Sequence, residues 1–367
     1  MTDLTQDAGE SAPDDRDLRR AYAMQAARAA SLLTGALVLL LTLAVYALSL
    51  GANDLTLAQA LQIIASPILP DGLIAEVTSL QQKVVTQLRL PRIVMAVVAG
   101  AGLTVAGVMM QGITRNPLVS PFTIGLSPAA AFGAALAILF GALEMPGWGN
   151  ALIVGGAFTM SLLCAAIVLG IAGLGGTSAT TIILAGIGLT YLFSALTATL
   201  QFVATQEQLA AIVHWTFGSL NASDWYEVAL AGIILAISVP VFWRMAWALN
   251  ALAAGEETAA SLGHDLKRVR LATAVLSVLI TAGIISFTGV IGFVGLVAPH
   301  IARMIIGNDH RVLIPFSMIV GAILLLVADT IGRTLFSPAV IPVGIVVAYV
   351  GVPLFVHLII RQKRSGL

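Results

Sequence analysis

With 59% of its 367 residues hydrophobic and only 10% charged, this chain has too little charge to coat a soluble globule of its size; soluble domains carry roughly 25% charged residues. It reads as an integral membrane protein. A formal net charge of zero argues against a nucleic-acid partner, and the single cysteine, Cys164, excludes an internal disulfide or a cysteine metal cluster.

Residues 1–29 are polar and mixed in charge, with Asp14, Asp15 and Asp17 among Arg16, Arg19 and Arg20. They read as a flexible or amphipathic cytoplasmic tail. A secretory leader is not expected, because the apolar run Ser31–Leu50 is as long as a full span and acidic residues crowd the segment before it.

Apolar windows long enough to cross the hydrocarbon, or nearly so, recur at 31–50, 93–112, 122–141, 150–173, 179–203, 226–248, 271–291, 294–306, 312–332 and 341–360. Ten spans make residues 30–367 a single transmembrane domain. The window at 294–306 is short, contains Pro299 and follows Gly289, Gly292 and Gly295, as a half-helix packed inside protein would. The outer loop 51–88 has helical periodicity over Leu55–Ala65. The loop 204–225 carries His214, Trp215, Phe217 and Trp225, whose tryptophans read first as boundary-belt residues.

Arginine and lysine in short loops set the orientation. Ten spans put the tail, Arg115, the loop Asn308–Arg311, the end Arg361–Lys363–Arg364 and the polar stretch Leu249–Arg270 on one side, read as cytoplasmic. Both termini then lie inside. Arg89, Arg92 and Arg333 are left on the outer face, against the bias. Two readings stand for them: interfacial arginines, with Asp329 pairing Arg333 one turn away, or a basic ring facing an acidic partner.

The stretch 249–270, LNALAAGEETAASLGHDLKRVR, is a charged island between spans. It reads as a short helix with Asn250 as N-cap and Gly263 as C-cap. It is either a handle for a partner protein or merely a loop that must be polar. A faint echo links LTVAGVMMQG (103–112) after Arg92 with ITAGIISFTG (280–289) after Arg270, as in inverted repeats.

Candidate chemistry is sparse. The three lysines, Lys83, Lys267 and Lys363, do not follow glycine, so no GxxxxGK phosphate loop exists and any ATP must be hydrolysed by another chain. No HExxH or GxSxG occurs, and the five histidines are scattered, so no metal site or hydrolase is indicated. His300, Arg303 and Asp329 are the ionisable residues near span ends. No carboxylate falls clearly at mid-membrane depth, which weighs against a stand-alone secondary carrier driven by protons or sodium.

RLPR (89–92), QGITRNPLVSPFTIGLSPAAAFGA (111–134), LAGIGL (184–189), WTFGSLNASDW (215–225), GEETAASLGHDLKRVR (255–270), TGVIGFVGLVAPHIARMIIGNDHR (288–311) and ADTIGRTL (328–335) occur together in this order. From about residue 31 to its end the chain resembles the FecCD/BtuC-like permease subunits of bacterial ABC importers for iron–siderophore complexes, haem and cobalamin. The resemblance implies an all-α type II importer permease with ten transmembrane helices, in the bacterial inner membrane. It implies a second permease copy, two cytoplasmic ATPase subunits that hold the ATP and Mg, and a periplasmic substrate-binding protein. This chain itself would be no enzyme and would bind no cofactor. Gly255, Glu256, Glu257, Ser261, Leu262 and Gly263 match the family's coupling motif for the ATPase. Arg89, Arg92 and Arg333 match its docking arginines for the binding protein. Thr177, Ser178 and Thr180, with Ala179, match the cytoplasmic gate loosely. The cargo expected is an iron(III)–siderophore complex, with haem and then cobalamin as alternatives.

Overall fold

The computed structural model describes residues 15–50, 55–66, 78–174 and 179–364. Among these residues there are helices and turns and no strand, as a backbone without water to bond to requires. The first helix, α1 (Asp15–Ser49), takes in residues 15–29 of the polar leader and runs unbroken into the first apolar window. Helix α2 (Leu57–Ala65) fills the periodic stretch expected over Leu55–Ala65. Its start is a capping box, in which Thr56 and Gln59 satisfy each other's backbone N–H groups.

The second apolar window begins much earlier than its hydropathy indicates. Helix α3 (Ser79–Lys83) passes through a π-helical segment, Val84–Arg89, into α4 (Leu90–Thr114), giving 36 continuous helical residues. Pro91 has no N–H and its ring crowds the preceding turn, which would break an ordinary helix. The wider turn absorbs this: the Leu90 N–H reaches the carbonyl of Val85, five residues back.

The chain continues through α5 (Leu126–Leu139), α6 (Gly149–Leu174), α7 (Ala179–Val203), α8 (Gln206–Thr216), α9 (Trp225–Ala253), α10 (Glu256–Ser261), α11 (Leu266–Thr288), α12 (Val294–Ile306), α13 (His310–Thr334) and α14 (Val343–Arg364). Each of the ten apolar windows falls on a helix. Among the described residues seven helices are long and apolar enough to cross a membrane, whereas α5, α12 and the apolar part of α14 are shorter. The 13 residues of α12 reach only ~20 Å, short of a hydrocarbon layer ~30 Å thick. Residues Val294, Gly295, Val297, Ala298, Pro299 and Ala302 of this helix are buried in protein, which is where a short helix is tolerated.

Helix α4 is the axis of the bundle. In its most apolar stretch 83% of residues are buried, against 17% in α1 and 22% in α7 and in α9, whose apolar faces are left for lipid. Small residues place α4 there. Gly107 lies against the carbonyl of Gly295 in α12, and Gly100 against the carbonyl of Gly321 in α13. No Cβ fits between these backbones. Gly107→Val is therefore expected to cost about 1–3 kcal/mol by forcing α12 outward. Thermal unfolding in detergent would show the drop, and an unchanged midpoint would refute the close approach.

Candidate functional site

Two clusters of charge lie at opposite ends of α4. At one end α4 stops at Arg115, held in the left-handed conformation (φ 48°) where its N–H caps the helix on the Gln111 carbonyl. Beside it sits α10, the six-residue helix of the polar island. The island's N-cap differs from the sequence expectation. Asn250 lies inside α9, and its side chain instead grips the start of α13: its amide donates to Asp309 (2.7 Å) and its Oδ1 accepts from the His310 N–H (2.9 Å). Gly255 occupies the N-cap, at φ 133° where a side chain would be strained. A break there lets α9 end and α10 turn away from it. Gly263 terminates α10 as expected, at φ 82°. The His264 N–H reaches the Ala259 carbonyl and the Gly263 N–H that of Ala260, a Schellman closure.

The inner face of α10 is anchored and the outer face is offered. Ala259 is fully buried against Ala251, Leu252 and Leu266. Glu256, Glu257, Ser261 and Gly263 are exposed, and Leu262 is 64% exposed. Glu256 ties the helix sideways. A single oxygen, Oε1, accepts from Arg270 of α11 at 2.7 Å and from Arg115 of α4 at 3.4 Å. The hydrogen bond from Arg270 holds the Glu256 carboxyl below the usual carboxylate range. The same residues and Lys267 form the polar wall of a cavity of about 570 Å³ between α4, α6, α7 and α11.

At the far end of α4, Arg89, Arg92 and Arg333 lie together and turn inward. Arg92 grips Asp329 with Nε and Nη2 (2.9–3.0 Å) and donates Nη1 to Asn221 at 2.7 Å. Arg89 donates to the Leu48 carbonyl at 2.6 Å. Arg333 donates to the carbonyls of Leu50 and Ala47, and its Nε lies 3.8 Å from Asp329. These bonds satisfy carbonyls at the end of α1 that no helical turn can reach. Exposure is correspondingly low: 7% for Arg89, and side-chain values of 12% for Arg92, 8% for Arg333 and 1% for Asp329. The one-turn pair Asp329–Arg333 exists, but the main partner of Asp329 is Arg92.

Thr177 and Ser178 lie outside the described residues, and Thr180 is in the first turn of α7. Arg303 donates to Gln111 at 3.2 Å across α12 and α4. Trp215 packs against the buried cluster of Ala130, Ala134 and Ile285, and the indole N–H of Trp225 donates to the Thr86 carbonyl at 2.9 Å. Both tryptophans thus have structural work. Helix α8 was not anticipated, although Thr205 and Gln208 carry the spacing of a capping box. Asn221, which the sequence reading gave no role, accepts a hydrogen bond from Arg92.

A bundle of this kind, with long apolar helices and one short charged helix held at its edge, is that of a multi-pass membrane protein. The chain belongs to the FecCD transport family, whose pattern matches residues 38–361. It is 37% identical over 337 residues to the molybdate import system permease protein MolB of Haemophilus influenzae, covering 92% of this chain and 97% of that one. It is 37% identical over 281 residues to the hemin transport system permease protein HmuU of Yersinia pestis, covering 76% and 84%. Among solved structures, a metal-chelate type ABC transporter in an inward-facing conformation matches with a TM-score of 0.78 and 34% identity, over 90% of this chain and 99% of that chain. The protein is an ABC importer permease.

Proposed function

We propose that this chain is the membrane subunit of an ATP-driven importer in the bacterial inner membrane. It pairs with a second permease copy, carries two ATPase subunits on the face of α10, and receives cargo from a binding protein on the other face. Both termini lie on the ATPase side. The observation that carries this reading is the exposure of Leu262 on a helix otherwise pinned down by Ala259 and Glu256. An apolar side chain presented to water between two carboxylates and a left-handed glycine fits a docking surface better than a solvated loop.

The mechanism follows from the anchoring. Movement of α10 by closing ATPases is delivered through Glu256 to Arg270 on α11 and Arg115 at the end of α4. Because α4 is packed on nearly every side, a push there reaches α12 and α13 through the glycine contacts. Thr177, Ser178 and Thr180 would form the inner gate. Binding-protein docking at Arg89, Arg92 and Arg333 would require its carboxylates to replace Asp329 or the α1 carbonyls, since those guanidiniums are engaged within the chain.

The cargo is proposed as an iron(III)–siderophore complex, supported by the likeness to a metal-chelate type transporter. Molybdate is the second reading, favoured by the relative that matches over 97% of its length. Native mass spectrometry of the complex purified from its own membranes, followed by uptake assays with a ferric siderophore, haem, cobalamin and molybdate, tests both parts. Two permeases with two ATPases are expected. A chain that transports without any ATPase would overturn the reading.

A further inference from the structure

At the end of the bundle that holds Asn250, the polar start of α1 forms part of a second hollow, of about 600 Å³. Its other walls are α9 and the turn between α12 and α13. Arg28, Gln25 and Tyr22 come from α1, Trp243 from α9, and Asn308 and Arg311 from the turn and the start of α13. Nothing in the transport mechanism uses these residues.

The hollow is basic where it is polar. Asp309 is its carboxylate, and that charge is already consumed. Arg311 holds both oxygens at 2.6–3.0 Å, the Asn250 amide adds a bond, and the carboxyl is held down at about 2. The Arg311 guanidinium lies 4.3 Å over the Trp247 ring and directs Nη1 toward the Tyr22 hydroxyl at 3.4 Å. Arg28 is exposed and has no ion-pair partner among the described residues, so its charge is the surplus.

The surroundings are those of a membrane boundary. Tyr22, Trp243 and Trp247 are each about 60% exposed, as belt aromatics are at headgroup level. The same hollow is lined by the apolar Leu32, Ile305 and Val312, and farther along α1 Leu37, Val38, Leu39 and Leu41 lie bare. A soluble phosphate would fill only the basic part. A lipid fills both, with its phosphodiester at Arg28 and Tyr22 and its chains along α1.

The geometry points to a binding site for one anionic glycerophospholipid between α1, α9 and the α12–α13 turn. Its assignment to the inner leaflet rests on the orientation proposed above. The bound lipid would fasten the helical leader to the bundle, since few protein contacts hold that part of α1.

The test is lipid retention by the full chain, with whatever subunits co-purify, in native mass spectrometry with equimolar phosphatidylglycerol and phosphatidylcholine. The parent protein is expected to prefer phosphatidylglycerol, and Arg28→Gln to lower that preference roughly fivefold. Arg28→Lys should preserve it, as should Arg244→Gln, which removes an exposed charge from α9 that does not line the hollow. Unfolding curves in phosphatidylcholine check that each variant is folded. Equal retention by Arg28→Gln and the parent would overturn the site. So would an equal loss in Arg244→Gln, or displacement of the lipid by glycerol 3-phosphate alone, which would indicate a soluble-anion site. Retention is read without transport, so a negative result leaves the importer reading standing.

Discussion

Asp329→Ala is expected to be the most damaging single change at the end of the bundle that holds Arg89, Arg92 and Arg333. It removes the carboxylate that stands between Arg92 and Arg333 and leaves two nearly buried guanidiniums without an anion. Removing one partner of a buried pair costs about 3–5 kcal/mol, because the remaining charge is stranded. The loss should spread, since Arg333 also holds the last carbonyls of α1. Thermal unfolding in detergent should fall steeply, and proteolysis should open the connection after α1. The double change Arg92→Leu with Asp329→Leu should recover the part of the loss that the stranded Arg92 accounts for, while Arg333 keeps its charge on the α1 carbonyls alone. If Asp329→Ala melts with the parent protein, the cluster is not the clamp described.

The second large effect concerns coupling. Glu256→Arg sets a third cation against Arg115 and Arg270, where one carboxylate oxygen now serves both. The pairs are too exposed for the change to threaten the fold, because surface ion pairs contribute little to stability. The direction of α10 is what changes. Uptake in proteoliposomes should fall roughly tenfold while ATP hydrolysis by the assembled complex continues, in line with the usual size of coupling between sites. Exchanging the charges, Glu256→Arg with Arg270→Glu, should restore part of the uptake. Full uptake by the single variant would remove Glu256 from the transmission path and leave docking to Leu262 and its neighbours.

Hydropathy is a local property, and what depended on it was legible. All ten apolar windows lie on helices, and the short, proline-bearing window at 294–306 is the short, buried α12. The helix over Leu55–Ala65 was visible in its periodicity. The C-terminal glycine of α10 was visible too, because a left-handed position requires that residue type. Features of one or two residues were misread where two local signals competed. Asn250 has the chemistry of an N-cap, yet α9 runs on past it, because its side chain finds partners at Asp309 and His310 about sixty residues away. The second apolar window begins at residue 93, but the π-turn before Pro91 lets the helix begin at Ser79. The capping spacing at Thr205 and Gln208 marked α8 and was passed over among the polar residues of a loop.

The sequence by itself determined the membrane class, the positions of the apolar helices, the family and the short polar helix between α9 and α11. Each of these rests on composition or on residues close together in the chain. Only the tertiary structure decided what the charges do. Arg92 and Asp329 are 237 residues apart, and no periodicity relates them. Burial decides their pairing, because a guanidinium excluded from water takes whatever acceptors the packed helices bring within reach. For the same reason Arg89 and Arg333, which could have faced a partner, are found holding the end of α1, while Arg92 is taken up by Asp329 and Asn221. Arg28, exposed at the rim of the hollow, has no ion-pair partner among the described residues.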